Sequence, residues 1–286
     1  MPEEGYFGDD YEKLDENQKE AILENLGLKD PIYIQLLNFY KQLISGDLGK
    51  SIKYRPGIPV YEILRLKIPY SVKFGLSAMG ISLIIGIPMG ILMVAYKDSI
   101  IERLGMVYIL LVNSIPAAIY FIILQIYITR VLKLPILFSE ENPMSWILPA
   151  FSMSLGGIGS YAMWMRRYLM DEVNKDYAQL ARAKGLTRRG IMVNHLLRNA
   201  FVPMSQYLPS GILFTIAGSI YIESLYSIPG MGGLLVEAIQ GQDNPLVQIL
   251  VIIYSSIGIF GLLLGDILMA TLDPRIKLDS MAGGGQ

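Results

Sequence analysis

Residues 246–272 read LVQILVIIYSSIGIFGLLLGDILMATL, 27 positions in which Asp266 is the single charged side chain. Wound as a helix at about 1.5 Å per residue, such a stretch exceeds the ~30 Å hydrocarbon core of a bilayer. Four further blocks have comparable length and apolarity, near Val72–Tyr96, Leu104–Thr129, Trp146–Met165 and Met204–Leu225. The spacing therefore predicts an all-α, polytopic transmembrane bundle with five spans. Composition agrees. Of 286 residues, 52% are hydrophobic and 17% charged, which leaves too little polar surface to cover a globule in water. A net charge of −1 gives no footing for nucleic acid, and the absence of cysteine excludes disulfides, thiolate metal sites and thiol catalysis.

Pro88, Pro116, Pro149 and Pro209 fall inside the apolar blocks, so kinked helices are expected. Small residues recur four apart: Gly86 with Gly90, Ser152 with Gly156 and Ser160, Gly261 with Gly265. Such pairs let helix backbones approach closely, and they indicate helix packing before any contact with cargo.

Loop charge sets the expected orientation. The 166–202 loop carries Arg166, Arg167, Lys175, Arg182, Lys184, Arg188, Arg189 and Arg198. The loops at 131–145 and 226–245 are nearly free of positive charge. The 166–202 loop, the 97–103 turn and the tail after Asp273 are thus expected in the cytoplasm, with residues 1–70 outside a plasma membrane. Residues 71–286 form the transmembrane domain in this division.

Within the first 70 residues, Ile32, Leu36, Phe39 and Leu43 recur at helical spacing, predicting a helix over Asp30–Gly46. Glu12–Leu26 is a second candidate, stopped by Gly27. Gly49-Lys50-Ser51 imitates the end of a phosphate-binding loop, but the glycine required five residues earlier is Ile44. No ATP site is expected there.

Asp176–Arg189 predicts two short helices meeting at a bend. Tyr177–Lys184 has good helix formers, Gly185 suits the left-handed position after a helix, and Thr187 can cap the next one. By themselves these residues fit either a knob for a groove in a soluble partner or a basic loop on anionic headgroups.

Ala181-Arg182-Ala183-Lys184-Gly185-Leu186 resembles the coupling loop of the peptide and nickel branch of ATP-binding-cassette importer permeases. Gly46-Asp47-Leu48-Gly49 with Pro59-Val60, Glu223 followed by Ile228-Pro229-Gly230-Met231-Gly232, and Asp273-Pro274-Arg275 match the same branch, in the same order. The resemblance is closest to the oligopeptide permease subunit and covers nearly the whole chain. It departs in two respects. Gln179 stands where the general importer motif begins with an acid. Family members usually have six spans, and this sequence begins where the segment after the first would lie, so a preceding helix is expected.

The resemblance implies the type I importer permease fold and a chain that catalyses no covalent chemistry. A second, homologous permease subunit would share the pathway. Two ATP-binding subunits holding ATP and magnesium would grip the coupling loops, an extracellular binding protein would deliver peptide, and lipid would surround the bundle. This chain itself would bind no cofactor or metal. Glu223, Pro229 and Gly230 are candidate pathway or gate residues, Glu223 being either that or structural. Asp266 is expected to make an inter-helix hydrogen bond, and His195 to be a surface residue. The alternatives are transport of nickel or another small solute, and a secondary transporter, although no internal repeat supports the latter.

Overall fold

Proline and glycine decide where the long apolar blocks break. A computed structural model describes residues 15–25 and 28–272. Gly27, the Asp273-Pro274-Arg275 motif and the C-terminal tail lie outside the described residues. The elements are α1 (Glu16–Asn25), α2 (Ile32–Ile44), α3 (Val60–Ala95), α4 (Ile100–Ser114) and α5 (Ala117–Leu132). After a 3-10 turn (Pro143–Trp146) come α6 (Ile147–Val173), α7 (Asp176–Ala183) and α8 (Arg188–Ile191). A π turn (Met192–Leu196) leads into α9 (Leu197–Ser205), α10 (Tyr207–Ala217), α11 (Ile220–Tyr226), α12 (Met231–Gln240) and α13 (Asn244–Leu272). Helix is the only extended regular structure among the described residues; Lys50 and Pro59 form one isolated antiparallel bridge.

α3 and α13 are each long and apolar enough to cross a membrane. Two predicted spans need correction. Leu104–Thr129 is not one rod: α4 and α5 meet at 108°. Pro116 has no N–H to continue the ladder, and it drives Ile115 out of the helical region, to φ −94°, ψ 128°. Met204–Leu225 starts inside α9 and is bent by 41° between α10 and α11. There Gly218 takes φ +71°, a conformation that Cβ-bearing residues avoid. The other helices differ at their ends. α3 starts at Val60, twelve residues before the expected span, and runs through Pro69 and Pro88, whereas α6 runs on to Val173. α6 is long enough at 27 residues but is not among the helices apolar enough to cross alone, its glycines and serines being responsible.

α3 packs along α6 through small residues, as the Gly86/Gly90 spacing predicts. A Cβ on Gly86 would meet Ile158 O at 2.7 Å, and one on Gly90 would meet Ala162 O at 2.6 Å. Gly261 and Gly265 of α13 ride equally close to Ser210 and Gln206. The third set behaves differently: Gly156 has only the Tyr120 hydroxyl near it, at 3.8 Å, and Gly157 makes the close approach, to Ser82. Ser152 is buried and meets the Tyr226 hydroxyl at 3.2 Å.

The two ends of the bundle carry different cores. At one end Val60, Ile63 and Leu64 of α3 pack with Met231 and Leu234 of α12 and Leu250 of α13. Phe39 and Leu43 of α2 lie against this cluster, so α2 belongs to that end. At the opposite end Met165 and Leu169 of α6 pack with Ala178, Ile191, Ala200 and Met204. Along its length α13 turns Ile259, Phe260, Leu262 and Leu263 outward, each more than half exposed. An apolar exterior over a core of small residues is the arrangement lipid requires, and the chain is a multi-pass membrane protein.

Candidate functional sites

The segment Asp176–Ile191 forms the expected pair of short helices. α7 ends in two nested hydrogen bonds: Gly185 N–H donates to Arg182 O at 2.9 Å, and Leu186 N–H to Ala181 O at 3.2 Å. This closure needs a left-handed residue, and Gly185 supplies φ +79°. Thr187 Oγ1 then accepts from Gly190 N–H at 3.2 Å, starting α8. The six candidate coupling residues divide by environment. Ala181 is buried with Ala178 against α6 and the π turn. Arg182 is exposed yet tied back, Nη2 donating to Val173 O at 3.1 Å. Ala183, Lys184, Gly185 and Leu186 form the exposed tip. Leu180 and Leu186 are 56% and 48% exposed there, with Lys184, Arg188 and Arg189 around them. An apolar tip with a basic rim offers a partner groove something to bury as well as charge.

The knob is braced from behind. The Tyr177 hydroxyl donates to the Glu172 carboxylate at the end of α6, and Lys175 Nζ pairs with the same carboxylate at 2.5 Å. Burial, and then the Glu172 carboxylate, push the Tyr177 phenol up to about 12, so it remains a neutral donor. On the same end Arg166 of α6 pairs with Glu102 of α4, Nε to Oε1 at 3.0 Å, and Asp98 N–H donates to the other oxygen at 2.6 Å. Lys175 stands three residues from Glu172, a local spacing the sequence displays, whereas Arg166 and Glu102 are 64 positions apart and carry no sequence signal beyond opposite charge.

At the opposite end Glu223 is buried, and both of its oxygens accept from the protein itself. Oε1 takes Ser71 Oγ at 2.7 Å and Ser219 N–H at 3.2 Å, and Oε2 takes Gly232 N–H at 2.6 Å. Ser71 Oγ in turn accepts from Met231 N–H at 2.7 Å. The carboxylate therefore caps the first turn of α12, where unpaired amides and the helix dipole favour negative charge. Glycine is required around it: a Cβ on Gly218 or Gly230 would lie 2.2 or 2.3 Å from the carboxylate oxygens. Gly230 thus walls the cage, while Pro229 is exposed on its outer side. The structure joins Glu223 and Gly230 in one cluster and leaves Pro229 at its edge.

Asp266 makes the inter-helix bond expected of it, accepting from Gln206 Nε2 at 2.7 Å, and His195 is exposed in the π turn. Two polar residues escaped the sequence reading. Ser71 looks like any small residue at a span's edge. Asp243 stands directly before Asn244-Pro245, the pattern of a helix start, and that was its available signal. The loop after Gly49 does cradle an anion, although not a phosphate: Ser51 Oγ donates to the Asp243 carboxylate at 2.5 Å.

Residues 86–278 match the family described as binding-protein-dependent transport system inner membrane component. The chain belongs to that family. The matched region runs from the close-packed half of α3 through the α7–α8 knob and the Glu223 cage. Among relatives of this transport component, the dipeptide transport system permease protein DppB of Bacillus subtilis (strain 168) is 33% identical over 91% of this chain and 85% of its own. The oligopeptide transport system permease protein AmiC of Streptococcus pneumoniae serotype 4 is 33% identical over 73% of this chain and 42% of its own. A chain of the MetNI methionine ABC transporter, in an inward-facing conformation, superposes with TM-score 0.60 at 14% identity. It covers 74% of this chain and 96% of that one, which establishes a shared fold.

Proposed function

We propose that this chain is one permease subunit of an ATP-driven importer of peptides. The α7–α8 knob carries the proposal, an apolar tip on a braced helix pair at one end of the bundle. Relatives named for dipeptide and oligopeptide transport supply the cargo class. A second permease subunit completes the pathway, and two ATPase subunits hold ATP and magnesium and receive the knobs from the cytoplasm. The end with α2 and the Glu223 cage faces outward, where a binding protein delivers peptide. Residues 1–70 lie on that outer side. Because Ala181 and Ala178 key α7 into the core of α6 and α9, movement of the knob is passed to the bundle as a rigid-body shift between two packings. Coupling is the difference in affinity of ATP and cargo for those packings.

The chain should co-purify with two ATP-binding subunits, and the reconstituted complex should hydrolyse ATP faster with peptide-loaded binding protein. Purification without any ATPase, together with peptide uptake driven by an ion gradient alone, would overturn the assignment.

A further inference from the structure

Asp243 is completely buried and lies outside both the knob and the Glu223 cage. Its Oδ2 collects four hydrogen bonds from one short stretch of chain. Ser51 Oγ donates at 2.5 Å, and the amides of Ile52, Lys53 and Tyr54 donate at 3.1, 3.1 and 2.9 Å. Successive amides converging on one oxygen form an anion nest. The stretch that makes the nest is closed on itself: Ser51 N–H donates to Ile58 O, Gly57 N–H to Ser51 O, and Val60 N–H to Gly49 O. On the other side Asp243 belongs to the corner between α12 and α13. Its N–H donates to Ala238 O, its carbonyl accepts from Val247 N–H, and Oδ1 lies 3.4 Å from Leu246 N.

Apart from this clamp the N-terminal helices have a light hold on the bundle. No residue of α2 is fully buried, and Phe39, Leu43, Leu48 and Tyr54 are only partly buried on the α3–α12–α13 core. A buried carboxylate with four charge-assisted bonds is therefore a strong polar tie between the segment and the spans.

We propose that Asp243 is a positioning residue: it fastens the segment before α3, with α1 and α2, to the α12–α13 corner, so that this segment meets incoming cargo as one body with the Glu223 cage. The function assigned to the clamp rests on the importer reading above; the clamp itself does not. Asn in place of Asp243 keeps the shape but exchanges one acceptor oxygen for a donor and removes the charge. The nest amides then lose much of their hold.

The test uses Asp243→Asn and the milder Ser51→Ala in the assembled transporter. In Asp243→Asn, hydrogen exchange of the Ile52–Tyr54 amides should quicken by about tenfold or more, while amides of the α3–α6 pair keep their protection. In cells taking up labelled tetra-alanine, KM should rise about threefold or more, with the maximal rate per assembled complex unchanged. Ser51→Ala should move both readouts the same way by a smaller factor, and it decides the matter if Asp243→Asn does not accumulate. Unchanged exchange at Ile52–Tyr54 refutes the clamp. An unchanged KM with a maximal rate that falls only as assembled complex falls reduces Asp243 to a folding residue and refutes the positioning role. If the parent transporter takes up neither tetra-alanine nor a labelled dipeptide, the peptide-import reading fails, and hydrogen exchange still decides the clamp.

Discussion

Gly80 and Gly90 lie in the same helix, and the same substitution should act oppositely at the two. At Gly90 an added Cβ would sit 2.6 Å from Ala162 O and 2.8 Å from Met165 Cβ, and the first of these is backbone that cannot swing away. Ordinary contact begins at 3.4 Å, so α3 and α6 would have to separate by several tenths of an ångström at that level. A radial gap of ~0.5–1 Å already forfeits a quarter to a half of each dispersion contact. The contact line above includes Gly86 against Ile158 and Gly157 against Ser82, which would loosen with it. Overpacking of this kind destabilises by about 1–3 kcal/mol. At Gly80 nothing lies within 4 Å of the added carbon. There the substitution exchanges a poor helix former for the best one, a gain of up to about 1 kcal/mol. Gly80→Ala and Gly90→Ala should therefore differ by about 1–4 kcal/mol, Gly90→Ala being the weaker protein. The measurement is the detergent-induced unfolding of the purified chain in mixed micelles, followed by helicity, with both variants titrated against the parent. Coincident transitions for the two variants would refute the close α3–α6 packing.

Gly185→Val should insert normally but weaken ATPase binding or stimulation, because left-handed backbone at a Cβ-bearing residue costs about 1–2 kcal/mol and nothing else crowds the site. Gly185→Asn, which tolerates that conformation, should keep most of the peptide-stimulated hydrolysis that Gly185→Val loses. Glu223→Gln should free α12, since one oxygen that accepts an amide becomes a donor, at about 1–3 kcal/mol per group left unpaired. Gly230→Ala should reproduce its loss of uptake by collision with the carboxylate, and normal uptake in both variants would remove the cage from the mechanism. In the cysteine-free chain, an impermeant thiol reagent on intact cells should label Asn17→Cys and spare Thr187→Cys, both exposed positions; the reverse pattern would invert the orientation.

The knob was legible because its signals are local. Gly185 and Thr187 each act on backbone within a few residues, so the chain's own order reveals the bend. Apolar block length likewise foretold the bundle, and paired glycines foretold which faces meet. The break at Pro116 was visible as a proline, but its 108° angle depends on what α5 packs against, with Gln125 donating to Ile136 O and Leu225 O. The two carboxylate cages were least legible. Glu223 finds Ser71 across 152 positions and Asp243 finds Ser51 across 192, and most of their donors are backbone amides, which every residue type carries. A side chain satisfied by main chain leaves almost no mark on its partners' identities.

α6 buries more of its length than the other long helices, 12 of 27 residues against 12 of 36 in α3 and 8 of 29 in α13. It is also the long helix least able to enter a bilayer by itself. Its serines reach both outward and inward: Ser152 meets Tyr226 from α11, whereas the Ser154 hydroxyl bonds Phe151 O in its own helix and the Ser154 carbonyl accepts from Ser82 of α3. Its glycines meet neighbours on three helices: Gly157 against Ser82 of α3, Gly159 near Tyr108 and Val112 of α4, and Gly156 near Tyr120 of α5. During synthesis α6 emerges after α3, α4 and α5 and before α11, so the earlier partners are waiting and the last is not yet made. Its residence in the membrane is therefore conditional on the helices made before it, of which α3 brings its backbone closest, so a lesion at Gly86 or Gly90 would slow the seating of α6 before any transporter could be assembled.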